Sequence, residues 1–269
     1  MKSWVKKLAL TGILAAVVVT SLSGCGNSGS KDAAQQKKEL IVGTEPSFAP
    51  FEFPDGKDGE ITGFDMDLIK AMAKKMGYEK VTIKGMGFDA LFPAMNAGQI
   101  DVAMAGMSIT EERKKQFLFT DPYYESGLMT IVRKDNTVIH SLADLKGKRI
   151  GVQLGTTGAQ EAEKIEGAKV TNFDTSDLAC LELKNGNVDA VISDLPVLEY
   201  FLKKGGASYA KTVGTPKKGD FYGIAAPKGK KELIDGLNKA LKELRIPASI
   251  KRSMTNGLAQ KRNKMGKKG

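Results

Sequence analysis

Reactive side chains are scarce in this sequence, which has two cysteines and one histidine in 269 residues. Cys25 ends an N-terminal signal-like segment, so Cys180 has no cysteine left to pair with. Cys180 lies in an apolar, helix-like row, and we interpret it as a buried small hydrophobic residue. His140 lies far from Cys180 in the sequence, which argues against a catalytic thiol–histidine pair. We expect no catalytic residue, no metal ion and no cofactor.

Basic residues are unevenly distributed along the chain. The formal net charge of +10 taken alone would suggest a nucleic-acid-binding protein. However, three of the 41 basic residues lie in residues 1–25 and eight lie in residues 245–269, and neither segment has an acidic residue. The body between them therefore has 30 basic residues against 31 acidic ones. A neutral body argues against a nucleic-acid partner, and we expect none.

The N-terminus has the pattern of an export signal. Three lysines precede an apolar run over residues 8–19, which is too short to span a membrane comfortably. The sequence LSGC, ending at Cys25, resembles the lipobox of bacterial lipoproteins. It implies a signal peptide at residues 1–24, a lipid on Cys25 and a flexible tether over residues 25–38. The alternative is an ordinary secretory signal with an incidental cysteine. No apolar run of spanning length follows Cys25, which argues against a sensor ectodomain.

Strand-like and helix-like patterns alternate from Glu39 onward, which predicts an α/β fold with mainly parallel sheets. Strands are predicted at residues 40–43, 81–84, 100–104, 148–152, 169–173, 188–192 and 221–225. Helices are predicted from Asp65, as N-cap, to a stop at Gly77, and at residues 90–97, from 111 onward, and at 159–166, 176–184 and 230–244.

One strand–turn–helix unit carries the strongest binding signal. The strand at residues 100–104 leads into the turn AGMS, and a helix begins after Thr110, its predicted N-cap. Backbone N–H groups at such a helix start favour an anion. Arg113 is close enough to place its guanidinium over this turn, where it can pair with a carboxylate together with Ser108. The alternative is a capped surface helix with a solvated arginine.

Two later features add to this signal. The turn GTTG at residues 155–158 leads into a helix and offers further backbone N–H groups to an anion. Asp194 stands at the C-terminal end of a strand, where open α/β sheets bind ligands. Asp194 is therefore a candidate ligand residue, with a simple helix N-cap as the alternative.

Six motifs in a fixed order carry a family resemblance: GTEPSFAPFEF, GFDMDLI, FDALFPAMNAGQIDVAMAGMSITEERKK, TDPYY, IGVQLGTT and NVDAVISDLP. Together they resemble the polar amino-acid-binding lipoproteins of bacterial ABC importers, over residues 39–244. The resemblance implies a two-lobe, periplasmic-binding-protein-like type II α/β fold. Lobe 1 would comprise residues 39–125 and 222–244, and lobe 2 residues 126–221. Two crossover strands, near residues 123–127 and 219–223, would form the hinge.

The resemblance also implies how the main-chain groups of a free L-amino acid are held. Arg113 would pair with the ligand α-carboxylate, helped by Ser108 and by the amide of Gly106. Thr157 would reach the same carboxylate from the other lobe. Asp194 would take the ligand α-ammonium.

The ligand side chain would lie between Phe48 and Phe88 as aromatic walls. Glu45, Gln153 and Ser193 would face its far end. Because Glu45 supplies a negative charge there, we expect arginine or another cationic amino acid ahead of glutamine.

The resemblance implies a monomeric binding protein that delivers its ligand to an ABC permease with its ATPase. The protein would be extracytoplasmic and held at the cell membrane by the lipid on Cys25. The alternative is an enzyme on the same fold, such as a dehydratase of cyclic carboxylates, with Glu45 as its acid or base. Asp194 as an ammonium partner favours amino-acid binding.

Residues 245–269 depart from the family, which usually ends in an aromatic-bearing helix. This segment is basic and has no aromatic residue. Its codons permit the shifted-frame reading DTGKYKKIYDKWFG from Arg245 to Leu258, which resembles the segment that the chain lacks. We therefore expect residues 245–269 to be unstructured or derived from a frameshift after Leu244. A basic tail for membrane phosphates is the alternative.

Overall fold

The computed structural model describes residues 37–54 and 59–244, and for Lys37 and Lys38 the backbone alone. The predictions for the signal peptide, for the lipid on Cys25, for the tether up to residue 36 and for residues 245–269 lie outside this part. Among the described residues, no helix is long and apolar enough to cross a membrane.

The described residues form strands and helices in alternation. The strands are β1 (Lys37–Thr44), β2 (Phe53–Pro54), β3 (Ile61–Thr62), β4 (Tyr78–Gly85), β5 (Val102–Ala103), β6 (Phe117–Phe119), β7 (Tyr124–Arg133), β8 (Arg149–Gln153), β9 (Lys169–Phe173), β10 (Ala190–Asp194), β11 (Ala210–Tyr222) and β12 (Ala225–Pro227). The α-helices are α1 (Phe64–Lys75), α2 (Leu91–Asn96), α3 (Glu111–Gln116), α4 (Thr157–Glu163), α5 (Ser176–Asn185), α6 (Leu195–Lys203) and α7 (Lys231–Glu243). Short 3-10 helices lie at Leu142–Leu145 and Gly206–Ser208.

Two five-stranded sheets organise the fold. The first has the strand order β4-β1-β5-β12-β6 and the second β11-β7-β10-β8-β9. The pairings β1–β4, β1–β5, β8–β9 and β8–β10 are parallel. The pairings β12–β5, β12–β6, β7–β10 and β7–β11 are antiparallel. The prediction of mainly parallel sheets was therefore wrong, because the strands next to each sheet-to-sheet connection run back along their neighbours.

The chain passes from the first sheet to the second between β6 and β7, and it returns between β11 and β12. Next to these connections β7 and β11 lie side by side, with Tyr124 opposite Tyr222 and Ser126 opposite Asp220. This pair of strands is the predicted pair of crossovers. We use lobe 1 for the first sheet with its helices and lobe 2 for the second.

The predicted N-cap of helix α1 was wrong. Its N-cap is Gly63, and not Asp65. A Cβ atom on Gly63 would lie 2.2 Å from the carbonyl oxygen of Phe51, so the chain can enter the helix here only at a glycine. Asp65 lies in the first turn and is completely buried, which leaves its carboxylate free for other partners.

Strand β11 is far longer than predicted. The pattern FYGIA predicted a strand at residues 221–225, whereas the strand spans Ala210–Tyr222. Pro216 and the glycines on either side of it obscure the pattern in the sequence. The structure accommodates them because β11 lies at a sheet edge and shifts register between Val213 and Lys217.

The two lobes meet beside the crossover strands. Val197, on α6 of lobe 2, is 4% exposed and packs within the hydrophobic core cluster of lobe 1. Tyr200 follows one turn later, with its ring centroid 6.3 Å from that of Phe53 in lobe 1. Helix α6 follows Asp194 directly, so the strand end that carries this carboxylate is packed against both lobes.

Candidate functional site

A small cavity lies between the lobes, where β-strands end in turns. About 240 Å³ of space lies between its lining side chains, open solvent included, and little of that space is wide enough for a water molecule. The lining residues are Phe48, Phe88, Ala105, Gly106, Ser108, Arg113, Gln153, Thr156, Thr157 and Asp194. The structure thus brings together the predicted site residues except Glu45 and Ser193, which do not lie on the cavity wall.

Arg113 is fixed at the start of α3. The Thr110 side chain caps this helix as predicted, and its oxygen accepts from the Arg113 N–H at 3.1 Å. In the guanidinium group, Nη1 donates to the Ser108 carbonyl at 2.7 Å and Nη2 donates to the Gly155 carbonyl at 2.9 Å. Because Gly155 belongs to lobe 2, the second bond crosses between the lobes.

The guanidinium of Arg113 is a buried positive charge. The residue is 7% exposed and lies over the rings of Phe88 and Phe92, at 5.3 and 5.5 Å. Burial lowers the pKa of Arg113 to about 10, and the group therefore stays charged at neutral pH. No carboxylate among the described residues forms an ion pair with it. A carboxylate entering the cavity would form an ion pair with it.

Asp194 is the opposite charge on the lobe 2 side. It occupies the N-cap position of α6, but its side chain makes no cap hydrogen bond, so the simple N-cap alternative is wrong. The residue is 4% exposed, and burial raises the pKa of its carboxyl group to about 7. Ser126 Oγ lies 3.2 Å from Asp194 Oδ1 and 3.0 Å from the Tyr222 hydroxyl. The nearby Tyr222 hydroxyl lowers the pKa of Asp194 and so partly offsets the effect of burial.

Glu45 and Gln153 close the far end of the site across the lobe boundary. Gln153 Nε2 donates to Glu45 Oε2 and to the carbonyl of Asp174, both at 3.1 Å. Ser47 donates to Glu45 Oε1 at 2.7 Å. Burial raises the pKa of Glu45. Glu45 is 3% exposed and stands behind Gln153, one hydrogen bond from the cavity wall.

A network of hydroxyl groups continues behind Gln153. Ser176 donates to Gln153 Oε1 at 3.2 Å, and the hydroxyls of Ser176 and Ser193 lie 3.1 Å apart. Since Ser193 precedes Asp194, the hydrogen bonds connect the far end of the site to the strand that carries the carboxylate.

The amide of Gly106 has a different role from the one that the resemblance implied. Its N–H donates to Asp65 Oδ2 at 2.9 Å, and the hydroxyl of Tyr123 donates to the same oxygen at 2.7 Å. The amide is therefore already engaged, and we revise its assignment as a donor to the ligand carboxylate. Gly106 has φ +52°, and a Cβ atom on it would lie 2.5 Å from the Phe48 ring. Glycine here lets Phe48 form the cavity wall.

Phe88 and Ser108 also do more than predicted. Phe88 lines the cavity, but its ring is also the surface under the guanidinium of Arg113. Ser108 lines the cavity and holds Arg113 through its carbonyl oxygen. Both residues therefore orient Arg113 as well as shape the space beside it.

The start of α4 forms the lobe 2 wall of the cavity. Thr156 is its N-cap and accepts from the Ala159 N–H at 3.2 Å, while its hydroxyl donates to the Gln153 carbonyl at 2.8 Å. Thr157 is the first helical residue and lines the cavity as predicted. Thr156 also lines it, although the sequence indicated only Thr157.

The chain is similar to known proteins over most of its length. The family described as bacterial extracellular solute-binding proteins, family 3, matches residues 40–254. The chain belongs to this family. The arginine-binding extracellular protein ArtP of Bacillus subtilis (strain 168) is 36% identical over 249 residues, covering 91% of this chain and 93% of that protein. A probable histidine-binding protein of Campylobacter jejuni is 36% identical over 245 residues, covering 88% and 93%.

Solved structures give the same answer for the fold. A structure of an ancestral arginine-binding protein bound to arginine has a TM-score of 0.75 and 46% sequence identity, covering 84% of this chain and 98% of that one. The predicted two-lobe type II fold of this family 3 protein is therefore confirmed. The relatives are named as binding proteins, which confirms the prediction of a binding protein over an enzyme.

An extracellular solute-binding family places the protein outside the cytoplasm. Cys180 is 2% exposed, and burial raises the pKa of its thiol to about 12, which agrees with its interpretation as a buried hydrophobic residue. Within residues 37–54 and 59–244, no group of three His, Cys, Asp or Glu side chains could hold a metal ion.

A larger hollow of about 570 Å³ lies elsewhere on lobe 2 of the solute-binding protein. It is lined by residues of β7 and β11 and by the segment around Leu142, and none of its lining residues is charged. Because it offers no charged group to a polar ligand, the smaller cavity between the lobes is the better candidate for solute binding.

Several residues at the site were missed by sequence reasoning. Ser126 and Tyr222 contact Asp194 from the crossover strands, and Asp220 lies close enough to influence the charge of both Arg113 and Asp194. Their patterns indicated strand positions only, since contacts between distant strands leave no local signal.

A buried pair of carboxyl groups behind Gly106 was missed as well. Glu52 and Asp65 are both fully buried, and burial and the charge of Asp65 raise the pKa of Glu52 well above its ordinary value. Burial raises the pKa of Asp65 to about 6. Neither carboxyl oxygen of Glu52 has a hydrogen-bond partner among the described residues, whereas Asp65 Oδ2 accepts from Gly106 and Tyr123.

Proposed function

We propose that this family 3 protein captures a free cationic L-amino acid, with arginine ahead of glutamine, for an ABC importer. One observation carries the proposal. Arg113 and Asp194 place two buried opposite charges on the wall of one cavity, and neither has an ion-pair partner among the described residues. The α-carboxylate and α-ammonium of an amino acid are the matching pair of charges. Each would be bound by a charge-assisted hydrogen bond, worth roughly 1.5–3 kcal/mol.

The cationic preference rests on an excess of negative charge. Among the residues that the structure describes, Arg113 is the one cationic side chain on the cavity wall, whereas Asp194 lines the wall and Glu45 and Asp220 lie next to it. The Asp177 charge adds to the burial effect in raising the pKa of Glu45. A guanidinium at the far end would return an opposite charge to Glu45 and lies well between aromatic faces such as Phe48. Relatives named for arginine support this choice.

Ligand capture is expected to favour closure of the lobes. Arg113 and Glu45 come from lobe 1, whereas Asp194 and Gln153 come from lobe 2. A ligand held between Arg113 and Asp194, with its side chain directed toward Gln153 and Glu45, has more contacts in the closed form than in an open one. Such differential affinity shifts the equilibrium between the two forms toward closure.

Membrane attachment and delivery form the second part of the proposal. A lipid on Cys25 would keep the monomer beside an ABC permease and its ATPase. Metabolic labelling with a radioactive or clickable fatty acid should label the wild type and fail to label Cys25→Ser. An equally labelled variant would show that the lipid lies elsewhere.

Calorimetry of the purified protein against the standard amino acids tests the ligand assignment. We expect one arginine bound per chain, and a loss of roughly 3–5 kcal/mol of binding free energy in Arg113→Ala, because a buried carboxylate would lose its partner. Arg149→Ala is the matched control. Arg149 lies at the start of β8, at the other end of the strand from Gln153, and is paired with Asp189. Binding of arginine with wild-type affinity by Arg113→Ala would refute the site.

Glu45→Gln tests the cationic preference separately. We expect this variant to bind arginine at least about tenfold more weakly, because one charge–charge interaction of roughly 1.4 kcal/mol or more is lost, while glutamine binding changes less. Glu60→Gln is the control, because Glu60 is exposed and paired only with Lys70. The cationic preference is wrong if glutamine outcompetes arginine on the wild type.

A further inference from the structure

The ammonium-partner carboxylate is held from the two strands that connect the lobes. The hydroxyl of Ser126 on β7 is hydrogen-bonded to Asp194 on β10 and to the hydroxyl of Tyr222 on β11. Ser126 Oγ is 3.2 Å from Asp194 Oδ1. Of the three residues, none is more than 9% exposed, so water does not replace these hydroxyls.

Tyr222 is rigidly placed for this contact. Its ring stacks on Tyr124 at 5.6 Å with an interplanar angle of 26°, and it packs edge-on against Phe51 at 5.1 Å. The residue is completely buried. A ring fixed on two sides leaves its hydroxyl little freedom, so the hydrogen bond between Tyr222 and Ser126 costs little further entropy.

The backbone of Tyr222 reaches the other charged residue of the site. Tyr222 forms an isolated β-bridge with Ser108, and the Ile109 N–H donates to the Phe221 carbonyl at 2.7 Å. Ser108 holds the guanidinium of Arg113 through its carbonyl oxygen. One residue of a crossover strand therefore connects the Arg113 turn to the Asp194 carboxylate.

Building on the proposed function, we propose that Ser126 and Tyr222 are positioning residues for Asp194. Their hydroxyl groups fix its carboxylate toward the ligand ammonium and favour its ionised form. Through the backbone of Tyr222 they also keep Asp194 at a fixed distance from Arg113. The hinge strands thereby set the distance between the two ligand charges that the site accepts.

Charged and polar groups on several elements around Asp194 affect the pKa of its carboxyl group. Arg113 on α3 and the two hydroxyls favour the ionised carboxylate, whereas burial and Asp220 on β11 disfavour it. Since burial raises the pKa of Asp194 to about 7, the balance lies near neutral pH. Ammonium binding needs the ionised form, so affinity is present above this pKa and is lost as the pH falls through it.

The test combines two variants with two readouts. Carboxyl ¹³C NMR of ligand-free protein, with the Asp194 signal assigned by Asp194→Asn, follows the titration of that group directly. Ser126→Ala removes the donor to the carboxylate, and Tyr222→Phe removes the hydroxyl that is bonded to this donor and lowers the pKa of Asp194. The midpoint should therefore move up by roughly one pH unit in each variant. Tyr124→Phe removes a hydroxyl from the stacked neighbour and should leave the midpoint unchanged. Ser126→Thr keeps a hydroxyl and should restore the wild-type midpoint.

Arginine affinity provides the second readout. A one-unit shift predicts roughly fivefold weaker binding near pH 7 and almost wild-type binding near pH 9 in both variants. A purely structural defect would instead weaken binding equally at both pH values. The proposal is overturned if either variant leaves the NMR midpoint unchanged, or if its affinity loss does not depend on pH.

Failure of the proposed function gives a different result. If the wild type binds no amino acid at all, the ligand assignment is wrong. The NMR midpoints in the ligand-free protein still report whether Ser126 and Tyr222 hold the carboxylate.

Discussion

Replacing Asp194 with asparagine is expected to stabilise the ligand-free protein at neutral pH while it abolishes binding. Asp194 is 4% exposed and has no ion-pair partner among the described residues. Burial raises its pKa from an ordinary 3.8 to about 7, with a further contribution from Asp220. The folded state therefore holds a proton that the unfolded chain releases more easily, and folding becomes less favourable as the pH rises.

The size of the effect follows from the shift. About three pKa units at 1.36 kcal/mol each give about 4 kcal/mol between the two limits. The contribution is fully present below pH 3.8 and is lost as the pH rises through about 7. Between pH 5 and pH 8 the wild type should therefore lose roughly 2–3 kcal/mol of unfolding free energy that Asp194→Asn keeps. An asparagine can still accept the hydrogen bond from Ser126.

Urea unfolding of both ligand-free proteins at the two pH values measures this difference. Other buried carboxyl groups titrate in both proteins and cancel in the comparison. Asp235→Asn is the control, because Asp235 lies exposed on α7, paired with Lys231. The reasoning is refuted if the stability difference between Asp194→Asn and the wild type is the same at pH 5 and pH 8.

Three further expectations concern the glycine at the cavity wall, the buried acid pair and the C-terminal segment. Gly106→Ala should lower stability by roughly 2–4 kcal/mol and weaken arginine binding, because its Cβ would displace an aromatic ring; thermal unfolding and calorimetry measure both. Glu52→Gln should gain stability relative to wild type as the pH rises from about 5 to about 8, because the raised pKa of Glu52 makes its ionisation costly to the folded state. The coding DNA from Arg245 onward should read KWFG in the shifted frame.

Each of these has its own control. Gly77→Ala also places alanine at a positive φ, +79°, but with no atom within 4 Å of the new Cβ, so it should cost roughly 1–2 kcal/mol and leave binding intact. If Gly77→Ala is as damaging as Gly106→Ala, the steric argument fails. Glu60→Gln, on an exposed loop, is the control for Glu52→Gln. Codons that exclude KWFG would end the frameshift hypothesis.

Much of the site was predictable because the type of each residue and its position in a local pattern indicate its role. Arg113 follows a turn and a capped helix start, and Asp194 ends a strand, so each could be placed without knowledge of the other. The aromatic and polar walls came from the family motifs. Each of these predictions used a local sequence pattern or a known order of motifs.

What the sequence could not predict are contacts between residues that lie far apart in the chain. The Gly106 amide is taken by Asp65, which lies 41 positions earlier in the chain. Glu45 accepts a hydrogen bond from Gln153, 108 positions later. Hydrogen bonds over such distances depend on how the strands are arranged, and the sequence carries no local signal for them. Strand β11 was missed for a different reason, because an edge strand tolerates glycine and proline that would break a central one.

The strand order of the first sheet has a consequence for how the chain folds. Strand β12 lies between β5 and β6, yet it comes after all of lobe 2 in the sequence. The Thr120 N–H donates to the Ile224 carbonyl, and the Ile224 N–H donates to the Thr120 hydroxyl, across 104 positions. As the chain emerges during export, lobe 2 can complete its sheet while β6 still lacks its neighbour. Closing the sheet of lobe 1 is then a late, high-contact-order step, and any holding chaperone must shield β5 and β6 until β12 arrives.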